Sequence, residues 1–230
     1  MSDPRAHILQ NIRRSLQTAP LPARPNLDEN PVRPPASDWS ASELAERFAS
    51  ELTALSGQFL TVPAAQAAEV VARLARERQT NRLLAWSLEQ LPVPGLWESL
   101  RAAGLDPVTP DIPRADGRAA ALDDLEPITL GLTGADAAVA ETGTLVLLAG
   151  PGRPRLAAMS VRAHIALITP AQLYPTLAAW LAARPDLAEQ LRARSAGLFI
   201  TGPSRTADIE MTLTVGVHGP AEVIVVLLQP

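Results

Sequence analysis

Apolar positions along this chain keep several different rhythms, and the changes of rhythm mark its elements. At the N-terminus Ile8, Ile12 and Leu16 stand at i, i+4 and i+8, with Arg5, Arg13 and Arg14 elsewhere on the same segment. That spacing predicts a short amphipathic helix over residues 4–17. "PLPARPNLDENPVRPP" follows, with six prolines between residues 20 and 35. Proline fixes the backbone and donates no hydrogen bond, so this stretch reads as an extended linker. Residues 1–36 are therefore expected to form an N-terminal helical arm, open to docking on the chain's own body or on a partner. Residues 37–230 form the folded domain.

Within the domain, helical and strand periods alternate. Leu44, Phe48, Leu52 and Leu55 make the stripe of a helix from Ser42 to about Ser56, with Gly57 as its stop. "QFLTV" is a short strand, and a long helix runs from Ala64 to about Arg78. "RLLAW" is the next strand, and a helix from Pro94 to Ala103 closes at Gly104. A strand at 105–109 and a helix at 118–125 come next. This alternation predicts an α/β fold, a mostly parallel open sheet with helices on both faces. From Pro127 the rhythm changes. "ITLGLT" and "TLVLLAG" lie so close together that a local antiparallel element is expected between them. "HIALIT" is a strand, 171–183 a helix, and "GLFIT" and "AEVIVVLL" the last two strands.

Composition narrows the chemistry. At 230 residues and 47% apolar content the chain buries a sizeable core, and a net charge of −4 gives it no global attraction for nucleic acid. It has no Cys, which excludes disulfides, a thiol nucleophile, thiolate-held iron–sulfur clusters and Cys-based zinc sites. All 20 basic residues are Arg, so neither Schiff-base chemistry nor a Walker A lysine is available. With three His, a zinc site would need His7, His164 and His218 together, or carboxylates, and no metal is expected. No apolar run approaches the ~20 residues of a membrane span, and the N-terminus lacks a secretory apolar core, so a cytoplasmic protein is expected.

Functional side chains crowd into residues 200–220, "ITGPSRTADIEMTLTVGVHGP". A strand that ends in Thr201, Gly202, Pro203, Ser204, Arg205 and Thr206 and opens into a helix would offer free amides, hydroxyls and a guanidinium to a phosphate or carboxylate. In open α/β sheets such crevices lie at the carboxyl ends of strands. The alternative is that Pro203 starts that helix and Ser204 or Thr206 caps it. Asp208 and Glu210 do not share a helix face, and Asp208 can pair with Arg205 at i+3. His218 and Gly219 sit in a tight "VGVHGP" turn, where His218 serves either as a general base or as a structural hydrogen-bond anchor. In "AVAETGTLVLLAG", Glu141 beside Thr142 and Gly143 is open to two roles, a nucleophile or a carboxylate that fixes a hairpin. Arg153, Arg155 and Arg162 are either an anion-facing loop or solvated charge, and His164 reads as a buried or half-buried imidazole.

The strings "AETGTLVL", "HIALIT", "TGPSRTADIE" and "GVHGP" together resemble the LUD-domain family, and within it the lactate-utilisation protein C type. The resemblance is carried by residues 128–230; a related B type bears a Cys cluster that this chain lacks. It implies a fold similar to the group of ribose-phosphate isomerase, glucosamine-phosphate deaminase and CoA transferases. It also implies a part in oxidising L-lactate to pyruvate beside two iron–sulfur partner proteins, which would carry the electrons. In some CoA transferases of that group the nucleophile is a Glu in a Ser-Glu-Asn-Gly turn, and Ala140-Glu141-Thr142-Gly143 sets Glu141 in a similar frame with different flanks. Three readings follow. The first is an accessory subunit that binds an anionic small molecule at 201–206. The second is an acyl- or phosphate-ester-directed enzyme with Glu141 as nucleophile and Arg205 as anion clamp. The third is a structural or regulatory protein whose polar cluster only welds its C-terminal elements together.

Overall fold

A computed structural model of the chain describes residues 4–18, 39–113, 116–207 and 213–230. The chain divides into two units, Met1–Arg33 and Pro34–Pro230. In the first, helix α1 spans Pro4–Thr18, and the expected stripe of Ile8, Ile12 and Leu16 is exposed.

In the second unit the helices are α2 (Ala41–Ala54), α3 (Ala67–Glu77), α4 (Leu96–Ala102), α5 (Arg118–Leu125), α6 (Leu156–Met159), α7 (Leu177–Ala182) and α8 (Leu187–Arg192). The first six strands are β1 (Gln58–Pro63), β2 (Arg82–Ala85), β3 (Asp106–Val108), β4 (Leu130–Thr133), β5 (Ala137–Val139) and β6 (Thr144–Ala149). The others are β7 (Ala163–Ile168), β8 (Leu173–Tyr174), β9 (Ala196–Ile200), β10 (Arg205–Ala207), β11 (Leu213–Val215) and β12 (Glu222–Gln229).

Six of these strands make a parallel sheet in the order β1-β12-β7-β4-β2-β3. Helices flank it: α2 packs on β1, α4 on β3, and α6 on β4, β2 and β7. The central strand β12 is an unbroken apolar run, and Val223–Leu228 is buried at every position. That is the pattern of a parallel strand covered on both faces. Helix α2 starts where a Ser-x-x-Glu capping box allows it: the Ser40 amide donates to Glu43 at 2.7 Å, and the Glu43 amide donates to the Ser40 hydroxyl at 3.3 Å. The exposed Glu43 carboxyl is held below its usual range, chiefly by that Ser40 amide.

The antiparallel element expected after Pro127 is present. Strands β8-β5-β6-β9 form a second sheet in which β6 runs antiparallel to both β5 and β9. One of its faces packs into the main core through Leu145, Leu147, Leu198 and Ile200. The other carries Val139, Val146 and Leu148 against Trp180 and Leu187 of α7 and α8.

Two expectations change. The helix read over 171–183 is instead a 3-10 turn at Pro170–Gln172, the short β8, and α7 from Leu177. Pro175 is the cause, since it lacks an amide hydrogen and biases the preceding residue away from helix. Strand β9 leaves the parallel sheet for the edge of the antiparallel one, and the chain beyond it enters the β10–β11 hairpin rather than a helix. The β-branched pair Thr206 opposite Thr214 suits a strand ladder.

Candidate functional site

The 201–206 loop has two sides, and each meets a different part of the protein. One side is fastened to the C-terminus of α2. That helix ends at Ala54, and Ser56 turns left-handed with φ 67°, so that the Gly57 amide closes back onto the Leu52 carbonyl at 2.9 Å. The Leu55 carbonyl, left without a helical partner, accepts from the Arg205 guanidinium, which also donates to the Ser56 hydroxyl at 3.1 Å. A cation here satisfies an orphan carbonyl and faces the negative end of the helix dipole. Arg205 therefore works as a C-terminal cap in trans.

Glycines allow the loop to sit this close. Gly202 has φ 79°, and a Cβ built on it would lie 2.9 Å from the Leu55 Cβ. Gly143, in the β5–β6 turn, has φ 63°, and its Cβ would lie 2.6 Å from the Leu52 amide nitrogen. Any L-residue at these positions is both strained and in collision with α2. Between the two glycines runs a row of hydroxyls: Thr142 to Thr144 at 2.7 Å, and Thr144 to Thr201 at 2.8 Å. Thr142 is thus linked through Thr144 to Thr201.

The other side of the loop faces a groove. Thr201, Gly202 and Ser204 line a depression of about 310 Å³ with His218, Gly219 and Met159. A second depression of about 360 Å³ adjoins it, lined by Ser160, Arg162 and the Val215–Gly219 turn. The two meet at Met159, His218 and Gly219. Ser204 is pinned there by its backbone: its amide donates to the Pro220 carbonyl at 2.8 Å, and its carbonyl accepts from the Gly216 amide at 2.9 Å. The amides of Val217, His218 and Gly219 donate to no backbone acceptor among the described residues. Arg162 has no ion-pair partner among those residues either.

The groove lies at the amino ends of β7 and β12, not at the carboxyl ends where a doubly wound sheet usually places its ligands. Arg162 immediately precedes β7, and its carbonyl accepts from the Ala221 and Glu222 amides at the start of β12, at 2.8 and 3.1 Å. Thr201 arrives there because β9 belongs to the antiparallel sheet, so its carboxyl end meets the amino ends of the parallel strands. Met159 and Phe199 are not marked by the sequence, whereas Arg162, read there as anion-facing or solvated, does line the groove. The cue available for Arg162 was its position just before the "AHIALI" strand, the neighbour in space of the strand that "GVHGP" introduces.

Other predicted residues lie elsewhere. Glu141 is exposed at the β5–β6 turn, its amide donating to the Pro175 carbonyl at 3.1 Å, and it lines neither depression. Thr206 is paired with Thr214 in the hairpin. Asp208 and Glu210 fall outside the described residues, as does the expected pairing of Asp208 with Arg205. Arg153 is not an anion-facing residue. Its guanidinium donates to Asp136 at 2.7 Å and to Gln90 at 2.6 Å, and lies 4.9 Å from the Trp86 ring centroid. Asp136 also accepts from the Leu148 amide at 2.7 Å, so this network ties the two sheets together. His164 is fully buried between β4 and β12, with Nε2 2.8 Å from the Thr133 hydroxyl and Nδ1 without a partner. Burial pushes its pKa down to about 4, so it is a neutral imidazole at pH 7.

Among the described residues no cluster of three or more His, Asp or Glu could hold a metal ion, and no helix is long and apolar enough to cross a membrane. A family model described as "LUD domain" matches residues 45–228. Some relatives called "Lactate utilization protein C" align over most of their length. One from Exiguobacterium sp. is 33% identical, over 83% of this chain and 80% of its own. Another from Shouchella clausii is 28% identical, over 93% of this chain and 91% of its own. A crystal structure of a DUF162-family protein from Deinococcus radiodurans matches with a TM-score of 0.59 at 20% identity, covering 83% of this chain and 99% of that one. At that identity the likeness speaks for the fold alone.

Proposed function

This chain belongs to the LUD-domain family, and from that premise we propose that it is an accessory component of L-lactate utilisation that binds an anionic small molecule at its 201–206 loop. The observation that carries the first part is the alignment with lactate utilization protein C over 80% or more of that protein's length. A chain with no Cys cannot hold an iron–sulfur cluster through thiolates. Electrons taken from lactate would then pass to iron–sulfur partner proteins, while this subunit binds and presents.

The groove supports the second part. Ser204, His218 and Gly219 bring a hydroxyl, an imidazole and spare amides to one place, all of them donors suited to a carboxylate or phosphate. One guanidinium nitrogen of Arg205 is engaged at α2, so the reading rests on Ser204, His218 and Gly219.

Growth tests this reading. A strain lacking the gene should fail on L-lactate as sole carbon source and grow normally on pyruvate. Wild type and Arg205→Ala should restore growth on lactate, whereas the double variant Ser204→Ala, His218→Ala should not. Undiminished growth of the deletion strain on lactate would sink the proposal.

A further inference from the structure

The groove changes character along its length. At one end stand the Arg162 guanidinium, the exposed Val215 and Val217, the Ser160 hydroxyl, which donates to the Leu156 carbonyl at 2.8 Å, and the Val217–Gly219 amides, which have no backbone acceptor among the described residues. At the other end the lining is the edge strand β9, where Leu198 and Ile200 pack inward and Phe199 remains 58% exposed beside Met159, itself 43% exposed. Two large apolar side chains thus lie open in one depression, and such exposure marks a contact surface. Each depression falls within the roughly 300–1,000 Å³ typical of ligand pockets.

From this juxtaposition we infer that the site takes an amphiphilic anion, a carboxylate or phosphate held by Arg162 and the His218 turn with an aromatic or acyl body laid along β9 against Phe199 and Met159. This deepens the proposed function and rests on it, since it specifies the class of anion. A small hydroxy acid alone would fill the polar end and leave the apolar end wet. The charge balance fits as well. Asp136, Glu222 and Asp124 are each matched by an arginine, at Arg153, Arg78 and Arg82 respectively, whereas the Arg162 charge has no such match among the described residues. A guanidinium presents parallel donors to a planar or tetrahedral oxyanion.

The experiment is titration calorimetry on the full chain with matched probes. 1-Naphthyl phosphate and 1-naphthoate carry the ring; inorganic phosphate and acetate are their ring-free counterparts. Binding of the naphthyl anions at one site, roughly tenfold or more tighter than their counterparts, is expected. Arg162→Gln should weaken all four roughly tenfold, and Phe199→Ser should erase only the advantage of the ring. If the ring-free anions bind equally well, or Phe199→Ser leaves the advantage intact, the amphiphile assignment is overturned and the anion site stands. If none of the four binds, the assignment and the anion-binding part of the proposed function fall together. Co-sedimentation with phosphatidylglycerol vesicles that Arg162→Gln abolishes would overturn the small-molecule form in favour of a membrane surface.

Discussion

His164 makes stability depend on pH in a defined window. The imidazole is wholly buried in the sheet, makes one hydrogen bond through Nε2 to Thr133 and has no charged partner. Desolvation lowers its pKa from 6.5 to about 4. Between those values the unfolded chain takes up a proton that the folded chain refuses. The stabilisation is therefore present above pH 6.5, falls as the pH drops below that value, and is spent once the pH passes about 4. At 1.36 kcal/mol for each pH unit, the full loss is about 3 kcal/mol, of which about 2 kcal/mol is gone by pH 5. The perturbation is His164→Gln, which does not titrate and can still reach the Thr133 hydroxyl. Urea unfolding at pH 7, 6, 5 and 4.5 measures both proteins. The wild-type curve should fall relative to the variant by about 2 kcal/mol between pH 7 and pH 5. Glu43 and Asp124, whose carboxyls are held low by the Ser40 amide and by Arg82, lose their contribution only near and below the ordinary carboxylate range. They titrate equally in both proteins and cancel in the difference. Parallel curves would refute the assignment of His164 as an unpaired buried base.

Two further substitutions probe how the site is held. Gly143→Ala combines a positive φ with a Cβ 2.6 Å from the Leu52 amide nitrogen, and should cost about 2 kcal/mol or more, read from the urea midpoint. Arg153→Ala leaves Asp136 almost wholly buried with only the Leu148 amide as partner and should cost about 3 kcal/mol. The double variant with Asp136→Asn should recover part of that loss, and strict additivity of the two single changes would show that the pair is not coupled.

Long periodic segments were legible in the sequence, and local overrides were not. The stripe of Leu44, Phe48 and Leu52 and the run of 223–228 each marked their element, because burial of one stripe or of a whole strand is written into residue type. Strand β9 looks the same in sequence as a parallel strand, since short apolar runs carry no sign of their partner. Its antiparallel pairing with β6 is decided by tertiary context, and the location of the groove follows from that pairing. The residues of the site were half legible. Thr201, Ser204, His218 and Gly219 do converge on one groove, as their crowding suggested. The contact of Arg205 with a carbonyl 150 positions away, Leu55, was not legible, because nothing local in the sequence marks it. Arg162 was undervalued because an arginine beside a strand resembles any solvated one until the neighbouring turn is in place.

The threonine row between the β5–β6 turn and the groove has a polarity that the backbone does not fix. Each hydroxyl can be donor or acceptor, and each carries a single hydrogen, so when one rotates its neighbours must rotate with it. The row therefore has two hydrogen-bonding orientations. In one, Thr201 offers its hydrogen outward; in the other it offers a lone pair. A group that accepts a hydrogen from Thr201 favours the first, and a group that donates one favours the second. Thr142 follows that choice: its hydrogen points along the row in the first orientation and away from it in the second.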